Sequence, residues 1–501
     1  MNKRYGMLIV SVTILVLGFV VTASATNWSV DGSGGADFTG IQDAINNASD
    51  GDTILVSSGV YYENVVVGKS VTLKGIEYPI VDAGGEGNAI RLTADGITLV
   101  GFNATNAGSS LSDDGIKVTS NNNTITGNNV SNNNRGGISL NDYNKNNTIT
   151  GNNISNNGGS GIYLLSSNNN NTVTGNNISN NSGSGIYLDD YNKNNTITGN
   201  NISNNGVGIY IYNSSNNSIT GNTHVNDGLS VYFSYQNTVE DNTVNGKPLV
   251  YLKDVSDYKV EDAGQIILVN CTNITVENLD LYNTRRGIDL WETKDCIISN
   301  NKVCSNKYGI RLSHSSNNNT ITGNKVRNNT GFGIYLASSS NNNTITGNNV
   351  SNNNLRGIGL SDSSNNNTIT DNNVSNNNRD GIRLDDSSNN NTITGNNVCS
   401  NNWSGISLSS SRNNKIYFNN FINNSDNVDS YKSTNIWNSP LEITYTYDGN
   451  AYTSYIGNYW DDYEGTDAEG DGIGNTPYSI DSEKDECDVY PLMQPFENYF
   501  A

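Results

Sequence analysis

A 24-residue unit recurs along most of this 501-residue chain, and no other feature restricts its fold as strongly. The octapeptide Asn-Thr-Ile-Thr-Gly-Asn-Asn-Val/Ile appears with its first threonine at Thr124, Thr148, Thr196, Thr344 and Thr392, and close variants start at Thr172, Ser218, Thr320 and Thr368. A second element, Gly-Ile-x-Leu, begins at Gly137, Gly161, Gly185, Gly309, Gly333, Gly357, Gly381 and Gly405. A period of this size marks a solenoid, in which each unit buries its apolar residues against its neighbours. Ile138 and Leu140 alternate about Ser139, which is strand spacing, while Ile125 and Val130 flank a Gly127-Asn128 bend. No stretch of the unit has helical spacing. Three short strands and three turns per unit predict an all-β parallel β-helix whose coils stack about 4.8 Å apart. Anchors from Leu73 to Ile416 predict roughly 15 coils and a rod about 70 Å long at that spacing.

Composition agrees with a long, thin object. Hydrophobic residues make up 34% of the chain, too few for one large globular core, and charged residues only 15%, too few for a disordered polyelectrolyte. Asparagine supplies 96 residues. In runs such as Asn121-Asn122-Asn123 it suits turns, where it tolerates positive φ, and stacked amides can bond to one another up a column. The net charge of −21 argues against nucleic acid or an anionic lipid surface as partner, because phosphate contacts need clustered Lys and Arg.

Lys3 and Arg4 precede an apolar run from Met7 to Val21 that ends in Ala23-Ser24-Ala25, the pattern of a signal peptide over residues 1–25. Export without a lipid anchor or a transmembrane segment in the mature chain is expected, hence a secreted or cell-surface location. Residues 26–60 form an N-terminal cap, in which Ile41, Ala44, Ile45 and Ala48 share one helical face and Thr39 can cap the helix. Coils fill 61–221 and 273–435. The repeat breaks over 222–272, where Asn245-Gly246-Lys247-Pro248 reads as a turn leading a hairpin-like excursion, and 436–501 forms an acidic, aromatic C-terminal cap. Five cysteines do not make a disulfide framework; a bridge among Cys271, Cys296 and Cys304 and burial as small apolar residues both remain open.

Three segments carry a resemblance. Gly457-Asn458-Tyr459-Trp460-Asp461-Asp462-Tyr463, Gly470-Asp471-Gly472-Ile473-Gly474-Asn475-Thr476-Pro477-Tyr478 and Tyr490-Pro491-Leu492-Met493 resemble the C-terminal signature of NosD-like surface proteins of methanogenic archaea. Asn245-Gly246-Lys247-Pro248-Leu249 and Gln42-Asp43-Ala44-Ile45 with Gly51-Asp52-Thr53-Ile54 are similar to other landmarks of that family. The resemblance implies a right-handed β-helix of the carbohydrate-binding and sugar-hydrolase (CASH) domain class, pectin-lyase-like in fold. It implies no activity, because fold does not settle function. The family's best-known namesake assists copper enzyme maturation, but copper sites want His, thiolate or Met, and His224, His314, Met493 and the scattered cysteines show no ligand spacing; no copper is expected.

The chemistry-bearing candidates are departures from the repeat. Aligned Gly-Ile-x-Leu elements stack Arg286, Tyr308 and Phe332 in one column and Asp289, Arg311 and Tyr335 in the next, followed by Trp291 and by Glu292 beside His314. Asp289, Glu292, Arg311 and His314 are the catalytic candidates for a polysaccharide lyase, hydrolase or epimerase, and a solvated ion-paired face is the bland alternative. Tyr163, Tyr187 and Tyr210, in the outward position of successive coils, suit stacking on sugar rings, and Trp291 and Tyr335 extend that set. Asp113-Asp114, Asp189-Asp190 and Asp385-Asp386 are paired carboxylates, but two of the pairs, with Asp142 and Asp362, occupy the same place after leucine in different repeats, which is the mark of a turn residue. Asp467-x-Glu469-x-Asp471-Gly472 places oxygens as in the first half of a calcium loop but lacks the closing glutamate, so a structural Ca²⁺ is expected only if Asp461, Asp462 or Asp481 completes it. Sequons such as Asn153-Ile154-Ser155 and Asn402-Trp403-Ser404 are generated by the repeat itself, and a glycosylated rod is plausible. The leading expectation is a non-catalytic envelope protein that binds a polysaccharide or envelope glycan.

Overall fold

The computed structural model describes residues 25–481 and 485–500; the signal peptide over 1–25 lies, but for Ala25, outside the described residues. Each coil contributes three strands, one per face, and the faces pair in register from coil to coil. Thr124↔Thr148↔Thr172↔Thr196 line one face, Val130↔Ile154↔Ile178↔Ile202 the second and Ile138↔Ile162↔Ile186↔Ile209 the third, all parallel. The inward residues of these columns are fully buried, so the core is a thin column of Ile, Val and Leu. The result is a right-handed parallel β-solenoid of about 17 turns. The expected 15 falls short because an early coil lacks the Asn-rich signature: strand Asn27–Val30 already pairs with Thr53–Val56, which pairs with Thr72–Gly75.

Asparagine ladders hold the turns. Asn348 is representative. Its Oδ1 accepts Asn324 N and Nδ2 at 2.9 and 3.0 Å, and its Nδ2 donates to Asn372 Oδ1 at 3.0 Å and to the carbonyls of Ile321 and Thr346 at 2.8 and 3.1 Å. The amide thus satisfies backbone groups that the bending strand leaves unpaired, which a buried turn requires. The bend itself needs positive φ, supplied by Gly347 at 62° and, in the next coil, by Asp371 at 55°.

A helix closes one end and packed aromatic rings the other. Helix Ile41–Asn47 covers the first coil, but Thr39 does not cap it; the carboxylate of Glu63, a coil away, accepts Ile41 N and Gln42 N, both at 2.9 Å. That places an anion against the positive end of the helix. At the far end Trp460 stacks between Phe421 and Tyr478, at 4.6 and 4.4 Å between ring centres. Asp488, wholly buried, accepts Asn458 N at 2.7 Å and Trp460 Nε1 at 3.0 Å. Burial raises its pKa to about 6 against these hydrogen bonds. A carboxyl whose folded pKa lies above its unfolded one stabilises most when protonated. Its contribution, about 3 kcal/mol, is therefore present below pH 4 and lost as pH rises to 6. Denaturation followed by the fluorescence of the cap tryptophans is expected to show that slope in the wild type and to lose it in Asp488→Asn.

The chain leaves the first stack after strand Thr243–Val244. Asn245 and Gly246, at φ 52° and 81°, make a two-residue turn of the kind that suits a hairpin. Strand Lys247–Lys253 then runs antiparallel to Thr243–Val244 and parallel to Gln265–Val269, the start of the second stack. The buried Gln265 side chain bonds both ways with Leu229, at 3.0 and 2.8 Å, and donates to Arg286 O at 3.0 Å, tying the stacks together. Cys271 and Cys296 are free and buried, not bridged, and Cys304 is free as well. Cys296 stands where later coils carry a ladder asparagine: its sulfur faces Ile274 N at 3.3 Å and its own N–H donates to Asn319 Oδ1 at 3.0 Å.

The cleft at the junction of the two stacks

Asp289, Arg311 and Tyr335 do stand in one outward column. Asp289 and Arg311, however, are not on a solvated face, for both are buried. Asp289 Oδ2 lies 2.9 Å from Arg286 Nη1 and Oδ1 lies 3.4 Å from Arg311 Nη1. Arg286 also donates to Val231 O of the first stack at 3.3 Å. Arg311 lies over the Tyr232 ring at 6.0 Å, and burial raises the pKa of the Tyr235 phenol, which feels all three charges. A carboxylate shared between two buried guanidiniums is a counter-ion whose loss leaves both unpaired.

Beside this trio opens a cleft of about 590 Å³, lined by Tyr191, Phe233, Tyr235 and Trp291 and flanked by Lys193, Lys253, Asp254 and Glu292. Trp291 forms its floor. Its indole lies 3.4 Å from the His314 ring centre at 19°, 4.3 Å from Tyr235 and 5.6 Å from Phe233. Burial, and then Arg311, lower the His314 pKa, so the imidazole is neutral at pH 7. Glu292 is exposed at the rim. Tyr191 and Phe233 are 60% and 50% exposed at positive-φ turns, so flat apolar surface faces the opening. The repeat gave no register for Phe233 and Tyr235, which sit in its break; the only signal was the aromatic run Tyr232-Phe233-Ser234-Tyr235 itself.

The tyrosine row is in register but differs from an open platform. Tyr187 stacks on Tyr210 at 5.2 Å and 12°, Arg135 lies over Tyr163 at 5.1 Å and Arg285 over Tyr210 at 5.0 Å. Ring faces are thus spent within the row. The Tyr163 hydroxyl accepts Ser160 N at 2.9 Å, and burial with the hydrogen bond to Asp189 raises the Tyr187 phenol. Tyr335 stacks on Phe332 at 4.5 Å and shares a hydrogen bond with Ser361 at 2.7 Å.

The repeated acidic residues divide by position. Asp142, Asp190, Asp362 and Asp386 have φ between 48° and 61°, the conformation of turn residues. Asp114 is buried against Arg135 at 3.0 Å and Ser139 at 2.6 Å. In the C-terminal loop the Asp467 carboxylate accepts the amides of Gly470, Asp471 and Gly472 at 2.6–3.2 Å, Glu469 bonds Asn475, and Asp471 accepts Ile473 N at 2.9 Å. Copper does not fit the residues present. His224 is buried against Asp227 at 3.1 Å, His314 is stacked on Trp291, and among the described residues no three His, Cys, Asp or Glu side chains converge as a metal site would require.

Among the described residues no helix is long and apolar enough to cross a membrane. Among curated proteins no sequence matches the chain. Among solved structures it is similar to the A-module of the Azotobacter vinelandii mannuronan C-5 epimerase AlgE4, at 14% identity over 78% of this chain and 90% of that one, TM-score 0.28. It is similar also to pectate lyase Pel9A, at 14% identity over 60% and 76%, TM-score 0.33. A third is the catalytic unit of a GH87 α-1,3-glucanase from Streptomyces thermodiastaticus, at 15% identity over 69% and 65%, TM-score 0.35. At such identities and scores no chemistry follows from the likeness. The family model of the periplasmic copper-binding protein NosD matches residues 45–231 and 253–465, leaving out the stretch that supplies Phe233 and Tyr235. With both stacks matched, over well more than half of its length, the chain belongs to the NosD family.

Proposed function

We propose that this protein is an exported, non-catalytic polysaccharide-binding rod of the cell envelope, and that the polysaccharide seats in the junction cleft. The observation that carries this reading is the set of aromatic rings, Tyr191, Phe233, Tyr235 and Trp291, around one opening that is neither deep nor closed. Apolar ring faces with a polar rim suit the alternating apolar and hydroxylated surfaces of a sugar. A second reading, a lyase or epimerase, draws on one observation: exposed Glu292 and neutral His314 lie on adjacent coils, and a neutral imidazole can accept a proton. Asp289, the other acidic candidate, is held by Arg286 and Arg311 and is not free to serve as a base. A structural Ca²⁺ at Asp467, Glu469 and Asp471, which do not converge on a metal as they stand, belongs to the same proposal. It would have to draw Asp467 from the amides it now accepts, and a calcium-dependent rise in Tm that Asp467→Asn abolishes is its test.

Binding to a panel of polysaccharides, with release of reducing ends and unsaturated sugars followed on each, tests the main reading. Phe233→Ala is expected to weaken binding at least tenfold, since stacking on an exposed flat ring contributes about 1–3 kcal/mol. Tyr163→Ala is expected to change it less than threefold. Products that vanish in Glu292→Gln or His314→Ala would make the protein an enzyme.

A further inference from the structure

The second stack presents a different pocket at the other edge of the same sheet. Strand Arg286–Trp291 ends at the aromatic cleft on one side. Beyond its other end lies a shallow pocket of about 410 Å³ lined by Gly206, Asn226, Asn283, Arg285, Lys307 and Thr330. Arg285 and Lys307 are its two cations, and neither takes part in an ion pair among the described residues. Arg285 lies over the Tyr210 ring at 5.0 Å, and its Nε is buried without a hydrogen-bond acceptor. Asp289, the carboxylate of the neighbouring trio, is already shared between Arg286 and Arg311.

In a chain of net charge −21 a pair of cations held together without an acid is an unusual expenditure. Like charges repel, and burial followed by Arg286 lowers the Arg285 pKa while burial followed by Arg285 and Arg286 lowers that of Lys307. The Tyr210 ring face offsets part of this cost, and an incoming oxyanion would relieve the rest. The planar fork of Arg285 and the point charge of Lys307 together suit a carboxylate or sulfate. From Arg286 to Trp291 the strand spans roughly 17 Å at 3.3 Å per residue, a length an oligosaccharide crosses.

We propose that this pocket binds the acidic group, carboxylate or sulfate, of a sugar in the polysaccharide seated by the aromatic cleft, so that the ligand is an anionic polysaccharide lying across the sheet. This rests on the cleft reading. The test compares polygalacturonate and chondroitin sulfate, each beside its carboxyl-reduced or desulfated form, on the wild type, Arg285→Ala, Lys307→Ala and Phe233→Ala, with sodium sulfate alone as a further arm. At least one acidic polymer is expected to bind about tenfold or more tightly than its neutral form, an advantage that added salt erodes. Arg285→Ala is expected to remove that advantage while keeping the neutral binding. Lys307→Ala, on an exposed side chain away from Tyr210, is expected to reduce it without disturbing the fold. Equal binding of acidic and neutral forms, unchanged in both variants but weakened by Phe233→Ala, overturns the proposal and leaves the cleft reading standing. No binding of any polymer overturns both, and protection by sulfate alone in that case reassigns the pocket to a free oxyanion.

Discussion

Asn348→Ala is expected to destabilise the second stack by about 3–5 kcal/mol, while Asn349→Ala, one residue along the same sequence, changes it by less than about 0.5 kcal/mol. The two side chains point to opposite sides of the bend. Asn348 is buried and links three coils: alanine there leaves Asn324 N without its acceptor and the Ile321 carbonyl without the amide that faces it. Each buried group so orphaned costs about 1–3 kcal/mol, and the neighbouring asparagines cannot turn to repair the gap without breaking their own contacts. Asn349 is exposed on strand Asn349–Ser351. Urea unfolding distinguishes them, and in a solenoid the loss is expected to be local, so hydrogen exchange in Asn348→Ala should quicken over the coils on either side. Equal midpoints for the two variants would show that the ladder contributes no stability.

The second large effect is expected at the trio. Asp289→Ala leaves Arg286 and Arg311 buried with no counter-charge, a loss of about 3–5 kcal/mol. Replacing the whole trio, as Asp289→Leu with Arg286→Met and Arg311→Met, is expected to recover most of that stability, since an apolar replacement of a buried ion cluster is often neutral. Glycan binding by the triple variant then separates two roles. Retained binding means that the trio shapes the cleft wall and nothing more; lost binding in a stably folded variant means that one of its charges faces the ligand.

The coil architecture was legible because each coil repeats its neighbour: Ile138, Ile162 and Ile186 fall in register on a spacing visible by eye. What escaped depends on contacts between segments that share no period. Thr39 is a sound helix cap by local chemistry, yet Glu63, brought back by one turn of the solenoid, takes its place. Asp289, Arg311 and Tyr335 were aligned correctly in one column, but alignment is blind to whether a second segment covers the column. Here Val231 and Tyr232, which belong to the break, lie against it: Val231 O accepts Arg286 and the Tyr232 ring lies under Arg311. For Tyr163, Tyr187 and Tyr210 the row itself is legible, but not that its rings pack on each other and under two arginines. Both differences come from side-chain packing at the outer surface, where the repeat imposes least.

Hydrogen exchange of the whole protein with and without a bound polysaccharide tests the central claim most directly. Protection is expected at segment 233–236, at Asp254 and at Trp291-Glu292, with little change along strands Ile162–Leu165 and Ser184–Asp189. Protection confined to the tyrosine row, or spread evenly along the rod with none at the junction, would contradict a binding site in the cleft.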